Sequence, residues 1–482
     1  MTLASPLSKT LARRLASVLL VLALQACVSS AGIDHQGALR AMPATEDANA
    51  PVTWPTDRWW TVYASPELDR LIEHALADSP DTARAQARLM LARAGSEFAT
   101  ARTFPEVDLN FKSTTQRYAE HGLAPRAVAG EHRSDNRLAL DFSYEIDLFG
   151  KNAAIAKSVE TQAASMETDL YTARVGLASA VARTWFSLGQ ALAERDVIEA
   201  TLAQRRRILE LVKARVAEGL DSKVEERQAE GAIPESVGEL AAVDERIALL
   251  RSALSKLAVV PLNETAALKP TLRLARAAGL PPLLPSALVA RRPEIVAARQ
   301  RVESLGYATD AARAEFYPSV NLVAFAGFSA LGLDALLQEG SQVYGLGPAV
   351  RLPIFDAGRL RAKLKFVNAQ LDLAIADYND ALLNALQDVV HSVVSIRALA
   401  ERQAAQQAAQ AAAESAYALA LQRFQAGLTG YLTVLATETE VLQARRAGVL
   451  LAARACQLDV DLKRALGGGF EAPLALAQHA QD

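Results

Sequence analysis

Cysteine is nearly absent. The 482-residue chain has two, Cys27 and Cys456, so no disulfide framework holds it together. Histidine is scarce too. The six, at positions 35, 74, 121, 132, 391 and 479, show no metal-ligand spacing. An excess of one charge is also missing. The formal net charge is -3, which gives no electrostatic grip on nucleic acid. The stretches "GLGPAV" and "LGGGF" contain glycine but no phosphate-loop lysine. They read as strand and helix-end punctuation. With 25 Gly and 19 Pro, the chain is not collagen-like or low in complexity. No catalytic residue, metal or cofactor is expected, and Cys456 reads as a small buried residue on a helix.

What is present is a globular-like balance, 51% hydrophobic and 22% charged, long enough for two or three ordinary domains. The N-terminus reads as a targeting segment. Arg13 and Arg14 precede a short apolar run, "LASVLLVLAL", too short to span a bilayer as a helix. Then "LQAC", Leu24 to Cys27, resembles a bacterial lipoprotein cleavage box with Cys27 as the lipidated residue. The alternative is a plain signal peptide with an incidental cysteine. Val28 follows Cys27 where an Asp would retain the protein at the inner membrane, and by that resemblance the destination is the outer membrane. Residues 1–26 are expected to be the signal peptide and 27–64 a lipidated extension.

The strongest signal is a repeat. "DSPDTARAQARLMLARA" matches "ARRPEIVAARQRVESLG", pairing Pro80 with Pro293, and a further 25 residues on Pro105 pairs with Pro318. Both pairs lie 213 residues apart. Gly150 pairs with Gly358, and Gly219 with Gly427, at an offset of 208. Ala-rich helices that matched by chance would not align their Pro and Gly punctuation. The repeats are placed at 65–272 and 273–470, with a tail at 471–482.

Each repeat has the same plan. A helical pattern starts at the first Pro, as a first turn allows. At the next Pro the period changes from 3.6 to 2. Val107, Leu109 and Phe111 alternate with Asp108, Asn110 and Lys112; Leu138, Leu140, Phe142, Tyr144 and Ile146 alternate with Asp141, Ser143 and Glu145. Two strands are expected near 105–148 and two near 318–355. One greasy and one polar face suits a membrane barrel; a half-buried soluble sheet would alternate in the same way. After each Gly comes a very long helical stretch. The 64 steps from Lys151 to Arg215 and from Arg359 to Arg423 would reach about 96 Å as continuous helices.

The long stretches end in "RVAEGL" and "RFQAGL". Arg215 and Arg423 suit a helix C-terminus, and Gly219 and Gly427 can take the left-handed conformation that closes one. Ser222 with Glu225 resembles a capping box, and Thr429 is the corresponding cap candidate. Each motif is therefore read as the tip of a helical hairpin. Pro234 is expected to kink or interrupt the first returning helix.

"YEIDLFGK", "FYPSVNL", "LPIFDAGRLRA", "RFQAGLTGYLTVL" and "LKRALGGGF" together resemble the TolC-like outer-membrane efflux factor family, in its lipidated NodT branch, with a likeness to the fusaric-acid-resistance type. That resemblance implies a mostly α fold with a transmembrane β-barrel portion, in which a homotrimer closes a barrel of twelve strands and a long periplasmic helical tunnel. It implies outer-membrane lipids, an inner-membrane pump and a periplasmic adaptor (a membrane fusion protein) as partners, and no nucleic acid. The adaptor would dock on the tips, at Arg215, Gly219, Leu220, Arg423, Gly427 and Leu428. The gate would lie at Val224, Leu432 and Glu438. The chain departs from the family there: the usual Asp position is Ala436 and the usual Arg position is Thr439. Glu438 and Glu440 are the nearest acids and fit a solvated helix face equally well. The implied function is a passive duct for small toxic compounds; the alternatives are the duct of a protein secretion system and a coiled-coil spacer.

Overall fold

The structure is a computed structural model that describes residues 29–40, 55–121, 126–272 and 292–471. Cys27 and the targeting segment lie outside the described residues. In chain order the elements are α1 (Pro66–Asp78), α2 (Pro80–Ala101), β1 (Glu106–Arg117), β2 (His132–Ile146), α3 (Lys151–Ala217), α4 (Lys223–Ala258), α5 (Leu262–Ala266), α6 (Pro293–Ala314), β3 (Ser319–Leu331), β4 (Gln342–Arg351), α7 (Arg359–Gln425) and α8 (Tyr431–Ala465). Both helices expected to begin at Pro80 and Pro293 do so. The long helices α3 and α7 have 67 residues each. No helix among the described residues is long and apolar enough to cross a membrane.

Two units share the chain, and each draws on both repeats. The first takes Met1–Arg40, Leu89–Met166 and Ala298–Asn379; the second takes Ala41–Arg88, Glu167–Ala297 and Asp380–Asp482.

The first unit holds one antiparallel sheet in the order β1-β2-β3-β4. Its register collects the alternating residues onto two faces. Leu109 lies opposite Leu140, Leu140 opposite Ala326, and Ala326 opposite Tyr344. Val107, Phe142, Ala324 and Leu346 form the next rung. This apolar face stands open, with Leu109 69% exposed and Tyr344 84% exposed. The other face carries Asp108, Asn110, Asp141 and Asn321, with apolar residues among them that include Val323, Phe325, Leu331 and Val343. There Asp141 accepts from Arg137 at 2.5 and 3.0 Å and from Asn110 at 3.0 Å, and the Arg137 guanidinium lies over the Phe325 ring.

The same unit contains a strap that the sequence pattern did not reveal. Residues 29–40 run along α7. Ile33 is buried with Phe316, Leu360 and Leu364. Asn368 donates to the Ile33 carbonyl at 3.2 Å. Asp372 accepts from the backbone of Gln36 at 2.9 Å and of Gly37 at 2.6 Å. Asn379 binds the Arg40 N–H at 2.8 Å and the Ala38 carbonyl at 3.0 Å. A Cβ at Gly37 would come within 3.0 Å of Asp372 and Ile375, so the close approach needs glycine.

The second unit has the largest core. Trp59, Leu68, Leu71 and Ile72 pack on Val181, Trp185 and Phe186 of α3, with Ile247 and Leu254 of α4 and with Cys456 and Val460 of α8. Cys456 is buried on its helix, as expected. Pro234 corrects half of an expectation: it does not interrupt the returning helix, because α4 is helical from Lys223 to Ala258 with the proline inside it. Arg205 of α3 donates to the Ala232 carbonyl at 2.9 Å and to the Ser236 hydroxyl at 3.0 Å. These contacts grip α4 on either side of the proline and offset a local cost of about 3 kcal/mol.

Leu140 tests the apolar face. An arginine there is expected to cost about 2–4 kcal/mol near mid-bilayer and to deplete the protein from the membrane fraction. Ser143→Arg, on the opposite face, is expected to leave recovery unchanged. Equal loss from both variants would mean that the apolar face does not meet lipid.

Candidate functional site

The tips are built from the same backbone hydrogen bonds. At the first, the Gly219 N–H donates to the Val216 carbonyl at 3.1 Å, and the Leu220 N–H to the Arg215 carbonyl at 2.8 Å. At the second, the Gly427 N–H donates to Phe424 at 3.0 Å and the Leu428 N–H to Arg423 at 2.8 Å. Gly219 has φ +75° and Gly427 φ +73°. This is a left-handed helix closure, which relieves the last orphan carbonyls of α3 and α7.

The returning helices start differently. Ser222 caps α4: its hydroxyl accepts from the Val224 N–H at 3.1 Å, and Glu225 accepts from the Ser222 N–H at 2.9 Å. Hydrogen bonds from the Ser222 hydroxyl and from nearby backbone N–H groups hold the Glu225 carboxyl below its ordinary range. The expected cap at Thr429 is not formed. Gly430 is the N-cap of α8, without a side-chain bond, and the Thr429 hydroxyl meets that of Thr433 at 3.1 Å. At the offset of 208 residues, Gly430 is the equivalent of Ser222 and Thr429 that of Asp221.

Arg215 and Arg423 also differ. Arg215 donates to Asp221 at 2.8 and 3.2 Å and to the Phe424 carbonyl at 3.1 Å. Its guanidinium lies 4.6 Å from the Phe424 ring centroid. It therefore ties the first tip to the second. Arg423 is exposed. Beneath the tips, Val212, Phe424, Tyr431 and Val434 share a buried cluster. Burial, with Glu438 nearby, pushes the Tyr431 hydroxyl up to about 12.

Glu438 does not lie on a solvated face. It is 3% exposed and accepts from Arg205 at 2.9 Å and from Gln204 at 3.0 Å. Arg205, itself 6% exposed, also meets Glu235 at 3.2 Å. One buried guanidinium thus joins α3, α4 and α8. Arg205 went unnoticed in the sequence, yet a signal was there. In "LAQRRRILELV" it falls on the 3–4 spacing of Leu202, Ile208, Leu209 and Val212, so one of three consecutive arginines had to point inward. The other expected residues are open: Leu220 and Leu428 are 65% and 68% exposed, and Val224 and Leu432 are exposed too. Ala436 is also exposed, while the Thr439 hydroxyl donates to the Leu435 carbonyl of its own helix at 2.9 Å.

The family model described as "Outer membrane efflux protein" matches this chain twice, over residues 71–258 and 284–468. The chain is 30% identical over 432 residues to the "Multidrug resistance outer membrane protein MdtQ" of Escherichia coli O6:H1, covering 87% of this chain and 89% of that protein. It is 32% identical over 378 residues to the "Fusaric acid resistance protein FusA" of Burkholderia cepacia, covering 76% and 71%. The solved outer membrane protein VceC of Vibrio cholerae superposes with TM-score 0.82 at 33% identity, covering 87% of this chain and all of that one. The outer-membrane channel OprN superposes with TM-score 0.81 at 25% identity, covering 90% and 99%.

Removing one partner of the buried pair should be worse than removing both. Glu438→Ala leaves the Arg205 charge without its main carboxylate, at an expected cost of about 3 kcal/mol. Arg205→Met with Glu438→Leu should recover most of the melting temperature. A double variant that melts no higher than the single one would show that the ion pair is not what joins these helices.

Proposed function

The chain belongs to the outer membrane efflux protein family, and on that premise we propose that three copies form the passive outer-membrane duct of a tripartite efflux pump. The observation that carries this reading is the sheet: four strands with one exposed apolar face and open edges at β1 and β4. Hydrocarbon tolerates no open edge, so β1 of one copy pairs with β4 of the next, and three sheets close one barrel. The polar face then lines a water-filled lumen. Strands β2 and β4 run on into α3 and α7, each about 100 Å long, and these continue the duct into the periplasm.

A duct of this kind has no energy source, so an inner-membrane pump drives transport and a periplasmic adaptor docks on the tips. The exposed Leu220 and Leu428 are apolar contacts free to meet it. With Ala436 and Thr439 at the usual Asp and Arg positions, the Arg205–Glu438 pair takes the role of holding the hairpins together when the gate is closed. An adaptor that binds splayed tips better shifts that equilibrium. Higher resting conductance of the Arg205→Met, Glu438→Leu double variant in planar bilayers would support this role; unchanged conductance would leave the pair purely structural. The relatives named for multidrug and fusaric acid resistance support small toxic compounds as cargo. Cys27 carries the lipid anchor, which mass spectrometry of the mature N-terminus reads directly: an unmodified cysteine there would refute it.

The docking assignment is tested at the tips. Leu220→Asp with Leu428→Asp is expected to abolish drug resistance while abundance and trimer content stay near normal. Full resistance in that variant, or a loss explained by disappearance of the protein, would remove the tips from adaptor binding.

A further inference from the structure

The tips share one backbone geometry and differ in their side chains, and the difference assigns a contact between copies. Residues 208 positions apart are equivalent: Arg215 with Arg423, Val216 with Phe424, Glu218 with Ala426, Gly219 with Gly427 and Asp221 with Thr429. Within one chain the contact runs one way. Arg215 of the first tip donates to the Phe424 carbonyl of the second at 3.1 Å, and its Nη1 lies 4.0 Å from where a Cβ on Gly427 would stand. A contact of this head-to-tail kind uses different surfaces on its two sides, so it leaves the second tip's donor side unused until another unit is added.

Arg423 is that unused donor. It is exposed and makes no ion pair among the described residues. Its anchor is missing, because Thr429 stands where Asp221 holds Arg215. By the geometry of Arg215, it would reach the Val216 carbonyl beside Gly219. Nothing lies within 4 Å of a Cβ at Gly219, so that place is vacant in one chain. The charge there is complementary. Glu218 is exposed, makes no ion pair among the described residues, and stands where the second tip has an alanine.

We propose that Arg423 docks on the first tip of a neighbouring copy, donating to the Val216 carbonyl and pairing with the Glu218 carboxylate. The ring of tips is then tied by two alternating arginine contacts. Arg215 acts within each chain and Arg423 acts between chains. The second is the weaker, since Val216 offers no ring where Phe424 stacks under Arg215. The inference rests on the reading that several copies close one duct.

Full-length chains with two different tags test it, one carrying Arg423→Cys and the other Glu218→Cys. An Arg–Glu pair separates its Cα atoms beyond the roughly 7 Å reach of a disulfide, so a short bis-maleimide is the probe. Co-produced chains are treated in membranes and the purified particle is weighed by light scattering. A linked product carrying both tags, absent when either variant is paired with the unaltered chain, is the expected result. No linked product in a particle of three chains would overturn the contact and leave the duct standing. A particle of one chain would overturn both.

Discussion

Unpaired backbone N–H and C=O groups cannot face hydrocarbon, and the rest of this molecule is arranged around that constraint. Its sheet has one exposed apolar face and, among the described residues, leaves β1 and β4 unpaired on one side each. Four strands are too few to close on themselves around a water-filled lumen. On the proposed reading the edges pair with other copies, and the polar face, with its Asn110–Asp141–Arg137 network, lines the lumen. Once copies stand side by side, the helices that continue from the strands stand side by side as well.

The duplication supplies two hairpins per chain, and the physics of helix ends makes their tips alike. Gly219 and Gly427 adopt the same left-handed turn with the same pair of hydrogen bonds. Side chains then break the equivalence. Asp221 and Phe424 fasten Arg215, while Thr429 and Val216 offer Arg423 neither a charge nor a ring. Deeper in, Arg205 and Glu438 spend desolvation to join three helices. A buried pair of this kind adds little net stability but resists being pulled apart one partner at a time. That behaviour suits a joint that is either closed or open.

What could be read from the sequence is what local chemistry decides. Pro80 and Pro293 start helices, Gly219 and Gly427 end them, Ser222 with Glu225 caps one, and the period-2 runs are strands. Each depends on neighbours a few residues away. What escaped depends on distant partners. The Arg205–Glu438 bond spans 233 residues, and the grip of Asp372 on Gln36 spans 336. The expected interruption at Pro234 failed for the same reason: its local cost is real, and α4 there is held by Arg205 of α3. Thr429 misled through register. Counted from the glycine, the capping position is Gly430, and the neighbouring hydroxyl was the more attractive residue by type alone. The tips' apolar residues Leu220 and Leu428 were identified from sequence, and the structure leaves them exposed.

Barrel closure between copies is the claim on which the rest stands, and imaging single particles in lipid nanodiscs tests it most directly. Three chains around one twelve-stranded barrel are expected, with β1 of each hydrogen-bonded to β4 of the next and Leu109, Leu140 and Tyr344 facing lipid. A particle in which β1 and β4 of a single chain pair with each other, or in which the apolar face packs against protein, would contradict it.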